Sequence, residues 1–282
     1  MMNTGDNHSF KTKAEAFKKL HQREGIFVIP NPWDAGSAKI LESLGYKALA
    51  TTSGGLAFSL GLPDGLSLIS REDSLKNAQS IINATGLPVS ADLENGYGDD
   101  PATCAETILL AAKAGLAGGS IEDATGDPAN PIYPFELAVE RIKASVQVAQ
   151  SLPHPFTLTA RAENFLYGRP DLKNTIKRLE AFADADADVL FAPGLKTPEE
   201  IEAVVKAVAP RPVNVIMGIS GSNFTVDMLA KIGVKRVSIG SSFMRAAYGA
   251  FFNAAEEVLR KGTFTYVNGV KSYADFNNLF KN

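Results

Sequence analysis

Two carboxylates stand close together in residues 88–98, which read PVSADLENGYG. An apolar run leads into Asp92 and Glu94, and glycines end the run. Side chains two positions apart on a β-strand share a face, so both carboxylates are predicted to point the same way at the tip of a strand. Because two adjacent carboxylates repel each other unless a proton or a cation lies between them, the pair is a candidate metal site. The alternative is a solvated pair before a helix that starts at Asp99-Asp100-Pro101.

A third carboxylate is predicted to join this pair. The apolar run 117–122 ends at Glu122, and the carboxyl ends of parallel strands meet at one rim of a barrel. Asp92, Glu94 and Glu122 offer only hard oxygen ligands, and the three histidines of the chain lie elsewhere in the sequence. The set therefore favours Mg²⁺ or Mn²⁺ over zinc.

Other groups at strand ends suggest what such a cation would act on. Arg161 follows the run 156–160, and its planar fork could bind a substrate carboxylate or phosphonate, or it could only neutralise the carboxylates. Ser53-Gly54-Gly55 follows the run 46–52 and offers backbone N–H groups to an anionic oxygen, although an ordinary turn is the alternative. Together these groups predict a metal bound to an α-oxo acid, where it would stabilise the enolate formed when a bond at C3 breaks. Further candidates at the same rim are Asp34, Ser220 and Asn223.

These residues require a scaffold of repeated strand-helix units. Strands are predicted at 26–30, 46–52, in the stretch 88–98, and at 117–122, 156–161, 188–193, 213–217 and 236–240; clear helical patterns cover 13–24, 71–84, 101–114, 134–150 and 243–261. Most strands lack polar alternation, which indicates burial on both faces and favours a (β/α)8 barrel. An open doubly wound sheet would need a glycine-rich turn after the first strand, and Pro30-Asn-Pro-Trp33 does not supply one. Residues 124–133 lack periodicity and are a candidate active-site flap.

Length and composition bound the rest of the interpretation. We expect the 282 residues to form one barrel domain, with a polar leader at 1–12 and a helical extension at 243–282. A net charge of -3 gives no basic surface for nucleic acid, and no apolar run is long enough for a membrane span, so a cytoplasmic protein is predicted. The single cysteine, Cys104, excludes an intrachain disulfide and a thiolate metal site. The apolar extension is expected to pack on a neighbouring subunit or on its own barrel.

Five ordered segments carry a resemblance to a known family. They are Thr52-Ser-Gly-Gly55, Gly61-Leu-Pro-Asp64, Asp92-Leu-Glu-Asn-Gly-Tyr-Gly98, Ile121-Glu-Asp123 and Ala160-Arg161. Through them the chain resembles the isocitrate lyase and phosphoenolpyruvate mutase superfamily over nearly its whole length. The resemblance implies a Mg²⁺ held, partly through waters, by Asp92, Glu94 and Glu122, with Asp64 nearby. It also implies substrate oxygens on residues 53–55, a contact from Arg161, and homotetramers that exchange the last barrel helix between paired subunits.

The departures from the family pattern concern the catalytic loops. Isocitrate and methylisocitrate lyases follow Ile-Glu-Asp with a Lys-Lys/Arg-Cys-Gly-His loop, whereas residues 124–131 here read ATGDPANP. The sequence after Asp64, Gly65-Leu-Ser-Leu68, is not a clear match to the gating loop of mutases and phosphonopyruvate hydrolases. Glu94 stands where many relatives have Asp. The resemblance then implies a Mg²⁺-dependent lyase or decarboxylase of a small α-oxo or 2-hydroxy acid, with phosphonopyruvate-type chemistry and a non-catalytic oxo-acid-binding protein as alternatives.

Overall fold

Eight parallel strands surround the centre of the molecule. The structure is a computed structural model that describes residues 4–218 and 223–281. The strands are β1 (Phe27–Ile29), β2 (Leu49–Ala50), β3 (Val89–Asp92), β4 (Gly118–Glu122), β5 (Thr157–Arg161), β6 (Val189–Phe191), β7 (Val213–Ile216) and β8 (Arg236–Ser238). They are hydrogen-bonded in the order β1-β8-β7-β6-β5-β4-β3-β2. The N–H of Ala50 donates to the carbonyl of Pro30 at 3.1 Å beside the remaining gap, so the expected barrel is confirmed.

Helices alternate with these strands. They are α1 (Thr4–Gln22), α2 (Ala35–Ser43), α3 (Ser53–Ser59), α4 (Arg71–Ala84), α5 (Pro101–Lys113), α6 (Phe135–Ser151), α7 (Leu172–Asp184), α8 (Pro198–Val208), α9 (Val226–Ile232), α10 (Ser242–Lys261) and α11 (Tyr273–Phe280). The first begins at Thr4, so most of the predicted polar leader is helical. Within the described ranges, no helix combines the length and the apolar character that a bilayer crossing requires.

The main core lies between the strands and the surrounding helices. Strand β6 is buried at all three positions, and Leu158 of β5 is fully buried. Leu179 and Phe182 of α7 are also inaccessible to solvent. Burying apolar surface on this scale is the main source of stability, at roughly 25 cal/mol per Å². It holds the strand ends, and so the polar rim, in fixed positions.

The C-terminal helices contact the barrel little. Met244 is the single buried residue of α10, whereas Phe251, Phe252 and Leu259 are 71%, 66% and 86% exposed. The last helix, α11, packs against α2. The sequence left two alternatives for the aromatic residues of α10. In the described residues, Phe251 and Phe252 are not buried on their own barrel. Their cover by a second subunit stays a prediction.

Candidate active site

Arg161 is the centre of the polar rim. It is the last residue of β5, while Asp92 and Glu122 end the next strands round the barrel, β3 and β4. Its guanidinium lies 2.8 Å from Asp92 Oδ1, 3.0 Å from Glu122 Oε2 and 2.8 Å, through Nε, from Glu163 Oε1. The Arg161 side chain is only 13% exposed. These three strand-end residues thus lie together, as predicted from their positions in the sequence. Glu163 is a fourth member of the group that the sequence did not predict.

The charges of this group perturb one another strongly. Burial would lower the pKa of Arg161, but Glu122, Glu163 and Asp92 raise it well above its usual range. Burial raises the pKa of Glu122 well above its ordinary value, although Arg161 opposes that rise. Burial likewise raises the pKa of Glu163 to about 7, against the same arginine. Because one guanidinium faces three carboxylates, the rim carries an excess of negative charge whenever more than one of them is ionised.

Glu94 lies just beyond the end of β3. The strand stops at Asp92, so the prediction that the two carboxylates share a strand face is wrong. Glu94 instead has a left-handed backbone, with φ at 48°, and its N–H donates to Asp92 Oδ1 at 3.3 Å. Burial, with the charges of Asp92 and Asp64, raises the pKa of Glu94 to about 7. A non-glycine residue in this region is strained, and such strain is concentrated at functional sites.

An arginine of α6 fixes the loop that follows Glu94. Arg141 is 1% exposed and donates to the carbonyls of Asn95, Gly98 and Asp99, with 2.6 Å to Gly98 and 2.5 Å to Asp99. The hydroxyl of Tyr133 donates to Asp99 Oδ1 at 2.5 Å. Neither side chain was recognised in the sequence, because a helix arginine gives no sign of which carbonyls it will meet. Their contacts hold the carboxylate loop against α6.

Residues 53–55 form the first turn of α3. Thr52 caps this helix, and the N–H of Gly55 donates to its Oγ1 at 3.2 Å. The N–H of Ser53 points to Asp92 Oδ2 at 3.4 Å. The Ser53 amide therefore faces the carboxylate rim, whereas the Gly55 amide is taken by the helix cap.

Gly54 leaves room for the close approach of Asp64. A Cβ on Gly54 would lie 2.7 Å from Asp64 Oδ2, which is too close for any other residue without a shift of that side chain. Burial, followed by the charge of Asp92, raises the pKa of Asp64, while hydrogen bonds from Gly65 and Ser53 oppose the rise. The space that the glycine leaves is thus taken by the carboxylate of Asp64.

The donor set fits a hard divalent cation. Arg161 contacts one oxygen each of Asp92 and Glu122, which leaves the other oxygen of each carboxylate for different partners. Burial is the main cause of the raised pKa of Glu94, and the charges of Asp92 and Asp64 add to it against that of Arg161. Within residues 4–218 and 223–281, no three acidic, histidine or cysteine side chains surround one point closely enough to hold an ion by themselves. Mg²⁺ or Mn²⁺ is compatible with this chemistry if waters complete its coordination, as these ions commonly require.

The remaining predicted rim residues have other positions. Asp34 caps α2, where its Oδ1 accepts from the N–H of Ser37 at 2.7 Å. Asn223 is exposed, and Ser220 lies outside the described residues. Asp123, beside Glu122, is 2% exposed and pairs with Arg178 of α7 at 2.9 Å.

The predicted flap at 124–133 is a closed loop. An antiparallel bridge joins Ala124 to Ile132, and Asp127 accepts from the N–H of Ala129 at 2.9 Å and from Asn130 Nδ2 at 3.2 Å. Cys104 is fully buried on α5, and its thiol lies 3.6 Å from the carbonyl oxygen of Asn95.

Comparison with known proteins gives consistent matches. A family model described as phosphoenolpyruvate phosphomutase matches residues 17–259. The chain is 55% identical to a Burkholderia cenocepacia J2315 protein of known structure that is assigned only as a lyase or mutase, with a TM-score of 0.95 and 98% of each chain covered. It is 26% identical to oxaloacetate acetylhydrolase solved with the product oxalate, with a TM-score of 0.85 over 96% of this chain and 94% of that one. Over 190 residues it is 32% identical to 2-methylisocitrate lyase of Salmonella typhimurium, covering 65% of this chain and 63% of the lyase.

Proposed function

The chain belongs to the isocitrate lyase and phosphoenolpyruvate mutase superfamily, and on that premise we propose that it is a divalent-cation-dependent lyase of a small α-oxo or 2-hydroxy carboxylic acid. The observation that carries the proposal is the contact of Arg161 with carboxylates from two neighbouring strands at the barrel rim, beside the first turn of α3. Active sites of such barrels occupy this rim.

A divalent cation held by Asp92, Glu94 and Glu122, partly through waters, would supply positive charge that stabilises an enolate oxygen. Arg161 is the only arginine whose guanidinium contacts two of these carboxylates among the described residues, so it fixes their orientation. The first-turn amides of α3 would orient a substrate oxygen beside them. Asp64, which approaches Gly54, closes the same side of the site.

Decarboxylation makes the smallest demand on this set of residues. When the C3–C4 bond of a 3-carboxylated oxo acid breaks, its electron pair moves into the enolate, and carbon dioxide leaves without needing a proton. No general acid in the loop 124–131 is then required for the cleavage itself. A related possibility is a carbon–carbon cleavage that releases a different small fragment from the same oxo acid. The likeness to oxaloacetate acetylhydrolase supports a small oxo acid as the substrate.

Phosphorus–carbon chemistry is the second candidate. It is favoured by the family model, whose description names a phosphomutase. The same rim could bind a phosphonate in place of a carboxylate, since Arg161 pairs with either group. A non-catalytic oxo-acid-binding protein is the remaining alternative, and the retention of Asp92, Glu94, Glu122 and Arg161 weighs against it.

The proposal extends to assembly and location. We expect a homotetramer of paired dimers in the cytoplasm, with the exposed aromatics of α10 covered by a neighbouring subunit. We expect neither nucleic acid nor a membrane as a partner.

Substrate profiling separates the two chemistries. Purified protein with Mg²⁺ or Mn²⁺ is incubated with oxaloacetate, and pyruvate, carbon dioxide and oxalate are quantified. A parallel reaction with phosphonopyruvate is followed by phosphate release and by conversion to phosphoenolpyruvate. Carbon products from oxaloacetate above a protein-free blank support the lyase, whereas turnover of phosphonopyruvate alone replaces it with the second candidate. Binding of oxalate without turnover of either substrate would favour the non-catalytic protein.

A further inference from the structure

A second arginine lies inside the barrel without a carboxylate partner. Arg236 begins β8 and is 6% exposed. Its Nε donates to Asn214 Oδ1 at 2.8 Å, and a terminal nitrogen donates to Thr159 Oγ1 at 3.0 Å. Its other terminal nitrogen lies 3.3 Å from His21 Nε2. Across the described part of the chain, no acidic side chain comes within ion-pair distance of this guanidinium.

His21 does not balance the charge of Arg236. Its Nδ1 is 2.9 Å from the carbonyl oxygen of Phe17, so this nitrogen carries the proton and Nε2 accepts from the arginine. Burial, together with the positive charge of Arg236, lowers the pKa of His21 to about 3. All three contacts of the guanidinium are therefore with neutral groups.

An unpaired charge in a protein interior is costly. Transfer of an ion out of water is unfavourable, and hydrogen bonds to neutral acceptors offset the penalty only in part. Arg161 illustrates the usual solution, since three carboxylates surround it. Arg236 lacks such partners, and burial, together with the charge of Arg161, lowers the pKa of Arg236 to about 9, so a bound anion would stabilise its charged form.

A cavity connects Arg236 with the rim. It has a volume of about 80 Å³, while a single water needs roughly 10–15 Å³ of such space. Both arginines and Asp92 line it, and the rest of its wall combines apolar side chains with the hydroxyl and amide groups of Asn31, Thr51, Ser90, Ser120, Asn214 and Ser238. The hydroxyls of Thr51, Ser90 and Ser120 can donate hydrogen bonds to an oxyanion. The other three groups already donate to protein oxygens: Asn31 to Thr51, Asn214 to Ser238 and Ser238 to Val215. Around Arg236 the cavity thus offers a positive charge and neutral donors in a space larger than one water, and Asp92, at the end of β3, lies at its rim end.

We propose that Arg236, with the donors of this cavity, forms a buried subsite for a carboxylate-sized anion at the centre of the barrel. The subsite lies below Arg161, because Arg236 reaches Thr159, two residues before Arg161 on β5 and so about 6.6 Å lower along the strand. Arg161 is already occupied by protein carboxylates. Arg236 is consequently the better placed of the two arginines to bind an anion from outside the chain.

The anion has two possible sources. One is the carboxylate of a substrate whose opposite end is at the rim, and this source rests on the proposed function. The other is a free small anion such as formate or chloride, which binds whether or not the protein is a lyase. Both share the chemistry of a compact anion beside a guanidinium, and the subsite itself does not depend on catalysis.

The first test measures anion binding without metal or substrate. The full-length protein in EDTA is titrated with sodium formate, with bulkier sodium gluconate keeping the ionic strength constant, and the thermal unfolding midpoint is recorded. The wild type is expected to show a saturable rise in midpoint. Arg236→Gln should weaken the apparent formate affinity at least tenfold, and Arg236→Lys should have an affinity between those of Arg236→Gln and the wild type. The control variant Arg211→Gln, at an arginine paired with Asp186 outside the barrel, should match the wild type. No saturable rise in the wild type, or an equal rise in Arg236→Gln, overturns the proposal.

A second test needs no variant. Crystals of the wild-type protein soaked in sodium bromide should give an anomalous peak beside the Arg236 guanidinium within the cavity. Bromide peaks confined to the outer surface would contradict the subsite, even if Arg236→Gln fails to fold.

The source of the anion follows from competition in the wild type. If a substrate carboxylate occupies the subsite, formate should raise the KM for oxaloacetate and leave kcat unchanged. If a free anion is the resident ligand, formate should bind with the same affinity in the presence and absence of oxaloacetate. Both outcomes support the subsite, and a protein that binds formate but turns over nothing would reject the proposed function alone.

Discussion

Arg161 Nη1 lies 2.8 Å from Asp92 Oδ1, and this contact joins the ends of β5 and β3 across the intervening β4. Neither side chain is more than 17% exposed. The pair is the fixed element of the rim, because Ser53 also donates to the second oxygen of Asp92. The guanidinium of Arg161 therefore orients Oδ1 of Asp92, while Oδ2 points to the first turn of α3.

Replacing Asp92 should be the most damaging single carboxylate change. Asp92→Asn removes the charge that Arg161 contacts and that a divalent cation would need, so we expect kcat/KM to fall by about 10²-fold or more. Glu94→Gln should cost less, and Asp127→Asn, in the exposed loop, should be close to wild type. Steady-state kinetics on the three variants gives the ranking. A larger loss for Glu94→Gln would reverse the order of the two ligands.

Isocitrate and methylisocitrate should not be cleaved at an appreciable rate. Their cleavage leaves a carbanion that must be protonated, and a general acid contributes typically about 10²–10⁴-fold. In loop 124–131 the one titratable residue is Asp127, whose oxygens accept hydrogen bonds from Ala129 and Asn130. Glyoxylate release from isocitrate and pyruvate release from methylisocitrate should be far below pyruvate formation from oxaloacetate. Comparable rates would require a proton donor that we have not identified.

Stability should decrease in acid because of His21. Its pKa is lowered from 6.5 to about 3 by burial and by the positive charges of Arg236 and Lys235, so the unfolded state binds a proton more readily. The contribution of neutral His21 is complete above pH 6.5 and is lost as pH falls towards 3, by at most about 1.4 kcal/mol per pH unit. Urea unfolding at pH 8, 6.5 and 5 should show a smaller decline for His21→Gln than for the wild type. Parallel declines would contradict a neutral His21.

The exposed aromatics of α10 should control assembly. Sedimentation of the wild type at micromolar concentration should give a tetramer, because Phe251 and Phe252 present apolar surface that its own barrel does not cover. Phe251→Glu should dissociate it into smaller species. Lys206→Glu, which introduces the same residue at an exposed position of α8, should leave the tetramer intact. A monomeric wild type would mean that this surface has no subunit partner.

The strands and their end residues could be predicted because they depend on local pattern. Apolar runs without alternation specify β1 to β8, and parallel strands bring Asp92, Glu122 and Arg161 to one rim whatever the loops do. The start of α1 at Thr4 was missed, since its polar first turns lack an apolar face. Glu94 was misplaced because a left-handed turn two residues beyond a strand leaves no periodic signal.

Several polar partners in and around the site were not predicted. Glu163 follows Arg161 by two residues, and that spacing on a strand end was an available but unused signal. Arg141 and Arg236 depend on which carbonyls, amides and histidines the completed fold brings to them. Charge and hydropathy patterns record neither the burial of an arginine nor the neutrality of its neighbours.

The requirement for a divalent cation tests the central claim most directly. Carbon-product formation from oxaloacetate should be measured after exhaustive treatment with EDTA and again after addition of Mg²⁺ or Mn²⁺, with protein-free blanks at each metal concentration because free metal ions also promote this decarboxylation. We predict that chelation abolishes enzymatic turnover and that either ion restores it, since the excess negative charge around Arg161 needs a cation before an anionic substrate can bind. Turnover that survives complete chelation would contradict the metal site and the enolate chemistry that depends on it.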